Sequence, residues 1–279
     1  MGILLGGAIK QRRILTASGT PIWISGEGPT LVLVHGVMVD HRMWAPQVRA
    51  LSGMYRICCI DMLGHGDAPD PPGARALDDF VSQIDEVIDR LSDKGLPVLG
   101  GFSMGGLVSQ AYAIKHSEKL AGLILMNAVH DRSDEQSRRV LARYKDNVKY
   151  GSENAVQSGA RRWFTPEEQE AYAPQIEAAL DWIRDGDFAA KCKAHRVFVT
   201  SDPQVSGKLS AVSCPALVMT GELDVGSTPK MAIDMARQIP DSVLRVMDGQ
   251  NHMMTMLDAN RVSCEIMTFL EKVFKGKKS

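Results

Sequence analysis

The chain has 279 residues, 44% hydrophobic and 23% charged, with a formal net charge of −1. That length suits one α/β domain carrying an insertion, with a large buried core. The balanced charge gives no field to gather nucleic acid or an anionic membrane, and no apolar run approaches the ~20 residues of a membrane span, so both partners are set aside.

In chain order, residues 1–10 hold a short apolar stretch without a preceding basic region, too short for a signal peptide. Residues 13–16 and Pro21–Ser25 read as an edge hairpin. Residues 30–35 form an apolar, β-branched run that ends at Gly36. Residues 43–51 fit a helix with Trp44, Val48 and Leu51 on one face. Arg56–Ile60 is a further buried strand, closed by the turn-rich stretch 61–66. Leu77–Leu91 is the clearest amphipathic helix, with a stripe of Leu77, Phe80, Val81, Ile84, Ile88 and Leu91. A strand over 96–101, a sharp turn at Ser103, a helix from Met104 to about His116 and a strand over 120–126 follow.

Between 131 and 206 the pattern changes. No strand is convincing, and three or four short helices fit. Strand pattern returns at 215–220, followed by a helix over Pro229–Gln238, a strand over Ser242–Met247 and a helix over 258–274. Alternating strands and helices predict a mostly parallel sheet covered on both faces. The expected division is a core of 1–130 and 207–279 with a helical insertion at 131–206.

Five cysteines, an odd number at irregular spacing and without a C-x-x-C pair, predict free thiols in a reducing, cytoplasmic setting. Nothing in the sequence calls for a metal or cofactor, and self-association stays open.

Gly101-Phe102-Ser103-Met104-Gly105 matches G-x-S-x-G between an apolar strand and a helical pattern. Glycines at both flanks permit a strained strand-to-helix turn that exposes a nucleophilic serine, with helix N–H groups facing a developing oxyanion. Such sites run Ser, then acid, then His along the chain. Among seven histidines, His252 follows the last predicted strand, where an open α/β sheet keeps its chemistry. His130 is the rival base. Asp224, past the strand at 215–220, is the expected acid, with Glu222 as alternative. The other strand end that can hold an acid has the neutral Asn127.

His35-Gly36-Val37 opens the loop that supplies a second oxyanion donor, the Val37 N–H, beside that of Met104. His35 is read as ordering this loop, and Asp61 to Gly66 as a turn in which His65 bonds backbone. Met38, Trp163 and Met253 are expected at the substrate, with Phe164 and Met254 nearby. Arg161, Arg162 and Arg196 are candidate cations for a substrate carboxylate.

With these residues in place, the chain resembles the α/β-hydrolase superfamily along its whole length. The resemblance rests on His35-Gly36, Asp61 to Gly66, Gly101 to Gly106, Gly221 to Asp224 and Gly249 to His252. It implies an eight-stranded, mostly parallel sheet flanked by helices, a small helical cap at about 131–206, and Ser103, Asp224 and His252 as a triad. A closer likeness is to 3-oxoadipate enol-lactonases, through Met43 to Gln47, Arg162 to Pro166 and Phe188 to Ala194. Those lactonases often lack the His-Gly pair, so the likeness implies a small-molecule lactone or ester hydrolase of that branch. A carbon–carbon bond hydrolase, a perhydrolase or haloperoxidase, and a hydrolase-fold ligand receptor remain the alternatives.

Overall fold

A computed structural model describes residues 11–275, so the reading of residues 1–10 lies outside the described residues. Eight strands form one sheet: β1 (Arg12–Leu15), β2 (Pro21–Ser25), β3 (Thr30–Val34), β4 (Arg56–Ile60), β5 (Val98–Phe102), β6 (Gly122–Met126), β7 (Ala216–Gly221) and β8 (Ser242–Met247). Their spatial order is β1-β2-β4-β3-β5-β6-β7-β8. The first two strands pair antiparallel at one edge, and β2 pairs antiparallel with β4. Every later pairing is parallel. The sheet is that of the α/β-hydrolase fold.

The central strands β3, β4, β5, β6 and β7 are buried at every position. Unbroken apolar runs such as TLVLV and RICCI are what a parallel strand covered on both faces requires. The covering helices are α1 (Ala45–Leu51), α2 (Leu77–Leu91), α3 (Met104–His116), α9 (Pro229–Gln238), α10 (Met254–Leu257) and α11 (Ala259–Lys275). α1 packs on α11, α2 on α3, and α9 on β7 and β8. The whole predicted stripe of α2 is buried, joined by Val87. Burying each such Leu, Ile or Phe contributes about 1.5–3 kcal/mol.

Two expectations shift. The helix expected over 43–51 begins as a 3₁₀ turn, His41–Trp44, capped by the Asp40 side chain, before α1 starts at Ala45 with Pro46 in its first turn. Between β6 and β7 stand five helices rather than three or four short ones: α4 (Asp134–Tyr150), α5 (Ser152–Trp163), α6 (Pro166–Ala171), α7 (Ala173–Arg184) and α8 (Phe188–Thr200). α4 is 17 residues long, yet it fully buries only Val140 and Asn147, so its hydrophobic period is faint. Local signals divide this segment: capping boxes at Ser133–Gln136 and Thr165–Glu168, Gly151 at φ 86°, and Pro in the first turns of α6 and α7.

Parallel pairing from β3 to β8 puts their carboxyl ends along one edge of the sheet. The loops carrying Val37, Ser103, Asn127, Asp224 and His252 leave from those ends. In an open α/β sheet, ligands bind along this edge.

Candidate active site

Ser103 sits between β5 and α3 with φ 53° and ψ −113°, a backbone conformation that costs a non-glycine residue of order 1–3 kcal/mol. The flanking glycines make this turn possible by lacking side chains. A Cβ at Gly101 would lie 2.2 Å from the Gly105 carbonyl oxygen, and one at Gly105 would lie 2.3 Å from that of Val34. A Cβ on Gly106 would meet Ala128 at 2.5 Å, so α3 can lie close against the end of β6.

His252 and Asp224 are held together by three loops. His252 Nδ1 donates to Asp224 Oδ2 at 2.6 Å. Asn127 Nδ2 donates to the same oxygen at 2.8 Å, while the N–H groups of Gly226 and Ser227 donate to Oδ1 at 2.8 and 2.9 Å. Burial pushes the Asp224 pKa up, but attraction to His252 and these hydrogen bonds outweigh it and hold the carboxyl below its ordinary range. Asn127, set aside in the sequence because it is neutral, takes φ 45° and serves as a donor to the acid. Its role was invisible because an amide in that position signals only a missing carboxylate.

The rivals are engaged elsewhere. Glu222 Oε2 accepts from the Gly249 N–H at 2.8 Å and steadies the loop that carries His252. Gly221 permits that loop to close, since a Cβ there would lie 2.4 Å from the Gln250 carbonyl oxygen. His130 Nδ1 donates to Gln110 Oε1 at 3.0 Å, and its Nε2 accepts from Gln238 at 2.9 Å.

Ser103 and His252 open on one cavity of about 380 Å³, whose wall also includes Val37, Met38, Phe102, Trp163 and Met253. The imidazole of His252 lies between Phe102 on the core side, with ring centroids 4.9 Å apart, and Trp163 of α5, stacked at 6.2 Å. Phe164 and Met254 are buried but do not reach the cavity. Of the three candidate cations only Arg162 lines it; Arg161 is exposed, and Arg196 borders a separate surface pocket beside Phe188. Arg132 and Arg143 on the wall were not singled out in the sequence. They sit in the helical segment, where no motif separates a lining arginine from a solvated one.

Below the cavity, two buried histidines brace the loop that follows β3. His35 Nδ1 donates to the Gly36 carbonyl, and its Nε2 accepts from the Met62 N–H at 2.9 Å. His65 Nε2 accepts from the Met38 N–H at 3.1 Å. Burial lowers the pKa of both rings, which keeps them neutral acceptors. The Val37 N–H carries no hydrogen bond among the described residues. Met104 opens α3, so its N–H has no partner in that helix's own ladder.

Asp40, His41 and Asp61 bring possible ligand atoms within 4.8 Å of one another. These atoms are already engaged: Asp40 is forked onto Arg42, while Asp61 accepts from the backbone and ring of His41 and from the Asp67 N–H. Burial pushes the Asp61 pKa up, yet the His41 hydrogen bonds and the neighbouring histidines carry it down to about 2. The cluster therefore reads as a brace under the loop. Among the described residues, no helix is long and apolar enough to cross a membrane.

Known proteins share this architecture. A 30% identical relative, matched over 88% of this chain and 92% of its own, is the (E)-2-((N-methylformamido)methylene)succinate hydrolase of Acinetobacter baylyi. The 3-oxoadipate enol-lactonase 2 of the same species is 26% identical over 80% of this chain and 82% of its own. A thermophilic esterase from Thermogutta terrifontis, solved with malate bound, matches with a TM-score of 0.82 at 28% identity over 95% of this chain and 99% of that one. The profile described as the alpha/beta hydrolase family matches residues 31–263. The chain belongs to the alpha/beta hydrolase family.

Proposed function

We propose that the protein is a serine hydrolase that cleaves a small carboxylic ester or lactone, with Ser103 as nucleophile, His252 as base and Asp224 as the carboxylate that orients it. The reading rests chiefly on one observation: a strained serine and an imidazole anchored to a buried carboxylate open on the same cavity.

In this scheme Ser103 Oγ attacks the carbonyl carbon while His252 Nε2 takes its proton. Asp224 fixes the Nδ1–H tautomer and stabilises the imidazolium that forms. The carbonyl oxygen becomes an oxyanion on the N–H groups of Val37 and Met104, and losing one such donor typically costs about 10²–10³ in rate. The C–O bond breaks, His252 returns its proton to the departing alkoxide or enolate, and then activates water to release the acyl group from Ser103. The mechanism uses no cofactor. Segment 131–206 acts as a cap, and Met38, Trp163 and Met253 contact the substrate. No disulfide joins the cysteines among the described residues, which supports work in the cytoplasm.

Two relatives are named as a lactonase and an esterase, which supports the ester or lactone class. The name of the succinate-derived relative contains a formamido group, which favours hydrolysis of an N-acyl bond by the same triad as a second reading. A fluorophosphonate followed by peptide mapping tests the nucleophile. Labelling of Ser103 that disappears in His252→Ala is the expected result, and labelling of another residue overturns the scheme. A panel of esters, lactones and N-formyl compounds then separates the two readings by turnover.

A further inference from the structure

The cavity wall carries more positive charge than the protein neutralises. Four arginines line it. Arg132 is paired with the buried Asp202 at 2.8 Å, and its backbone N–H bonds the same carboxylate. Arg139 pairs with Glu135 one turn away on α4. Arg143 and Arg162 have neither an ion pair nor a hydrogen bond among the described residues, and Arg143 Nε is buried without an acceptor. Asp224 attracts Arg162 through space, but both its oxygens are already taken up by four donors.

This is not how arginines brace a fold in this protein. Arg56 reaches the Asp93 carboxylate, the Thr30 hydroxyl and the Leu91 carbonyl together. Burial of an unpaired charge is costly and persists only where something else requires it. Burial, then repulsion from Arg162 and Arg132, lowers the Arg143 pKa to about 9, so the group still carries its charge at neutral pH. Beside them His195 is driven by burial, and by the same three arginines, down to about 3. It is a neutral ring on the cavity wall, and its buried Nδ1 has no partner. Two guanidinium forks and a neutral imidazole thus border the space that Ser103 and His252 face, and among the described residues no carboxylate pairs with either fork.

Resting on the hydrolase reading above, we propose that Arg143 and Arg162 form an anion subsite that holds a free carboxylate of the substrate, so that the ester or lactone cleaved at Ser103 is an acidic one. A guanidinium presents parallel N–H donors that match a carboxylate edge to edge. The anion supplies the charge that the wall lacks, and a cavity of about 380 Å³ suits a short carboxylic acid derivative. The subsite fixes which end of the substrate enters, leaving the uncharged carbonyl toward Ser103.

The test uses the intact protein with succinate, the uncharged succinamide and inorganic phosphate as probes, measured by calorimetry in wild type, Arg143→Gln and Arg162→Gln. Succinate binds at least tenfold more tightly than the uncharged succinamide and more tightly than phosphate, and each substitution weakens it at least tenfold. In turnover, the ratio of kcat/KM for monomethyl succinate to that for methyl butyrate is at least ten in wild type and falls toward one in both variants. Without ligand, Tm in each variant equals or exceeds that of wild type, because an unpaired charge has been removed. Equal binding of succinate and succinamide, or a lowered Tm with unchanged succinate affinity, overturns the subsite. Phosphate binding as tight as succinate overturns the carboxylate assignment. If Ser103 is not labelled and neither ester is turned over, the hydrolase reading fails by itself, while the binding arms still decide the subsite.

Discussion

The floor and the roof of the cavity follow opposite rules. The floor is the sheet edge, where glycines leave no spare volume and the buried titratable groups meet partners: His35, His65, His130, Asp61 and Asp224 all have hydrogen bonds. The roof is the helical segment between β6 and β7, where Arg143, Arg162 and His195 lie at the wall without partners. Chemistry common to many substrates needs a rigid floor, because an oxyanion must be met within tenths of an ångström. Selection of one substrate leaves its groups unsatisfied until that substrate arrives. On the proposed reading, the molecule separates how a bond is broken from which bond is chosen.

That separation can be broken at the floor first. Ser103→Ala lowers kcat on any accepted ester by about 10⁴–10⁶ with little change in KM, as for other triad nucleophiles, and steady-state kinetics measure it. A residual rate above one-hundredth of wild type removes Ser103 from its proposed role. Next comes Gly105→Ala, which forces a Cβ into the Val34 and His35 carbonyl oxygens. It destabilises the fold by about 3 kcal/mol or more, read as a drop in urea midpoint.

The brace beneath the loop after β3 gives a smaller, pH-dependent effect. The Asp61 pKa falls from 3.8 to about 2 on folding, which corresponds to about 2 kcal/mol. Because the folded value is depressed, this stability is present above pH ~4 and is lost as pH falls toward 2. Urea unfolding from pH 6 to pH 2 shows the loss in wild type, while Asp61→Asn starts less stable and lacks that part of the slope. The smallest effect belongs to the roof. Ser133→Ala removes the cap of α4 and costs about 0.5–2 kcal/mol, with the faster hydrogen exchange confined to the first turn of that helix.

The same contrast explains what could be read from the sequence. The apolar stripe of α2 and the runs of β2 and β4 gave element bounds that match the structure residue for residue, because burial favours apolar residues there; those of β8 match too, although only its Met247 is buried. The glycine-flanked Ser103 and the loops of Asp224 and His252 stood out because backbone conformation restricts which residues fit. In the roof, α4 buries so little that periodicity under-counted its helices, and helix ends there depend on single caps at Ser133, Gly151 and Thr165. Arg143 could not be told from its solvated neighbour Lys145, since the distinction exists only once α4 lies over the cavity. The contact of Asn127 was out of reach for a related reason. Its value lies in a hydrogen bond across 97 positions of sequence, and no local pattern announces it.

The stacking of Trp163 on His252 makes the roof self-reporting. An indole's emission depends on what packs against its ring, so intrinsic fluorescence that differs between wild type and His252→Gln would report this stacking optically. A substrate or inhibitor that pushes α5 away from β8's loop would change the same signal without any attached dye.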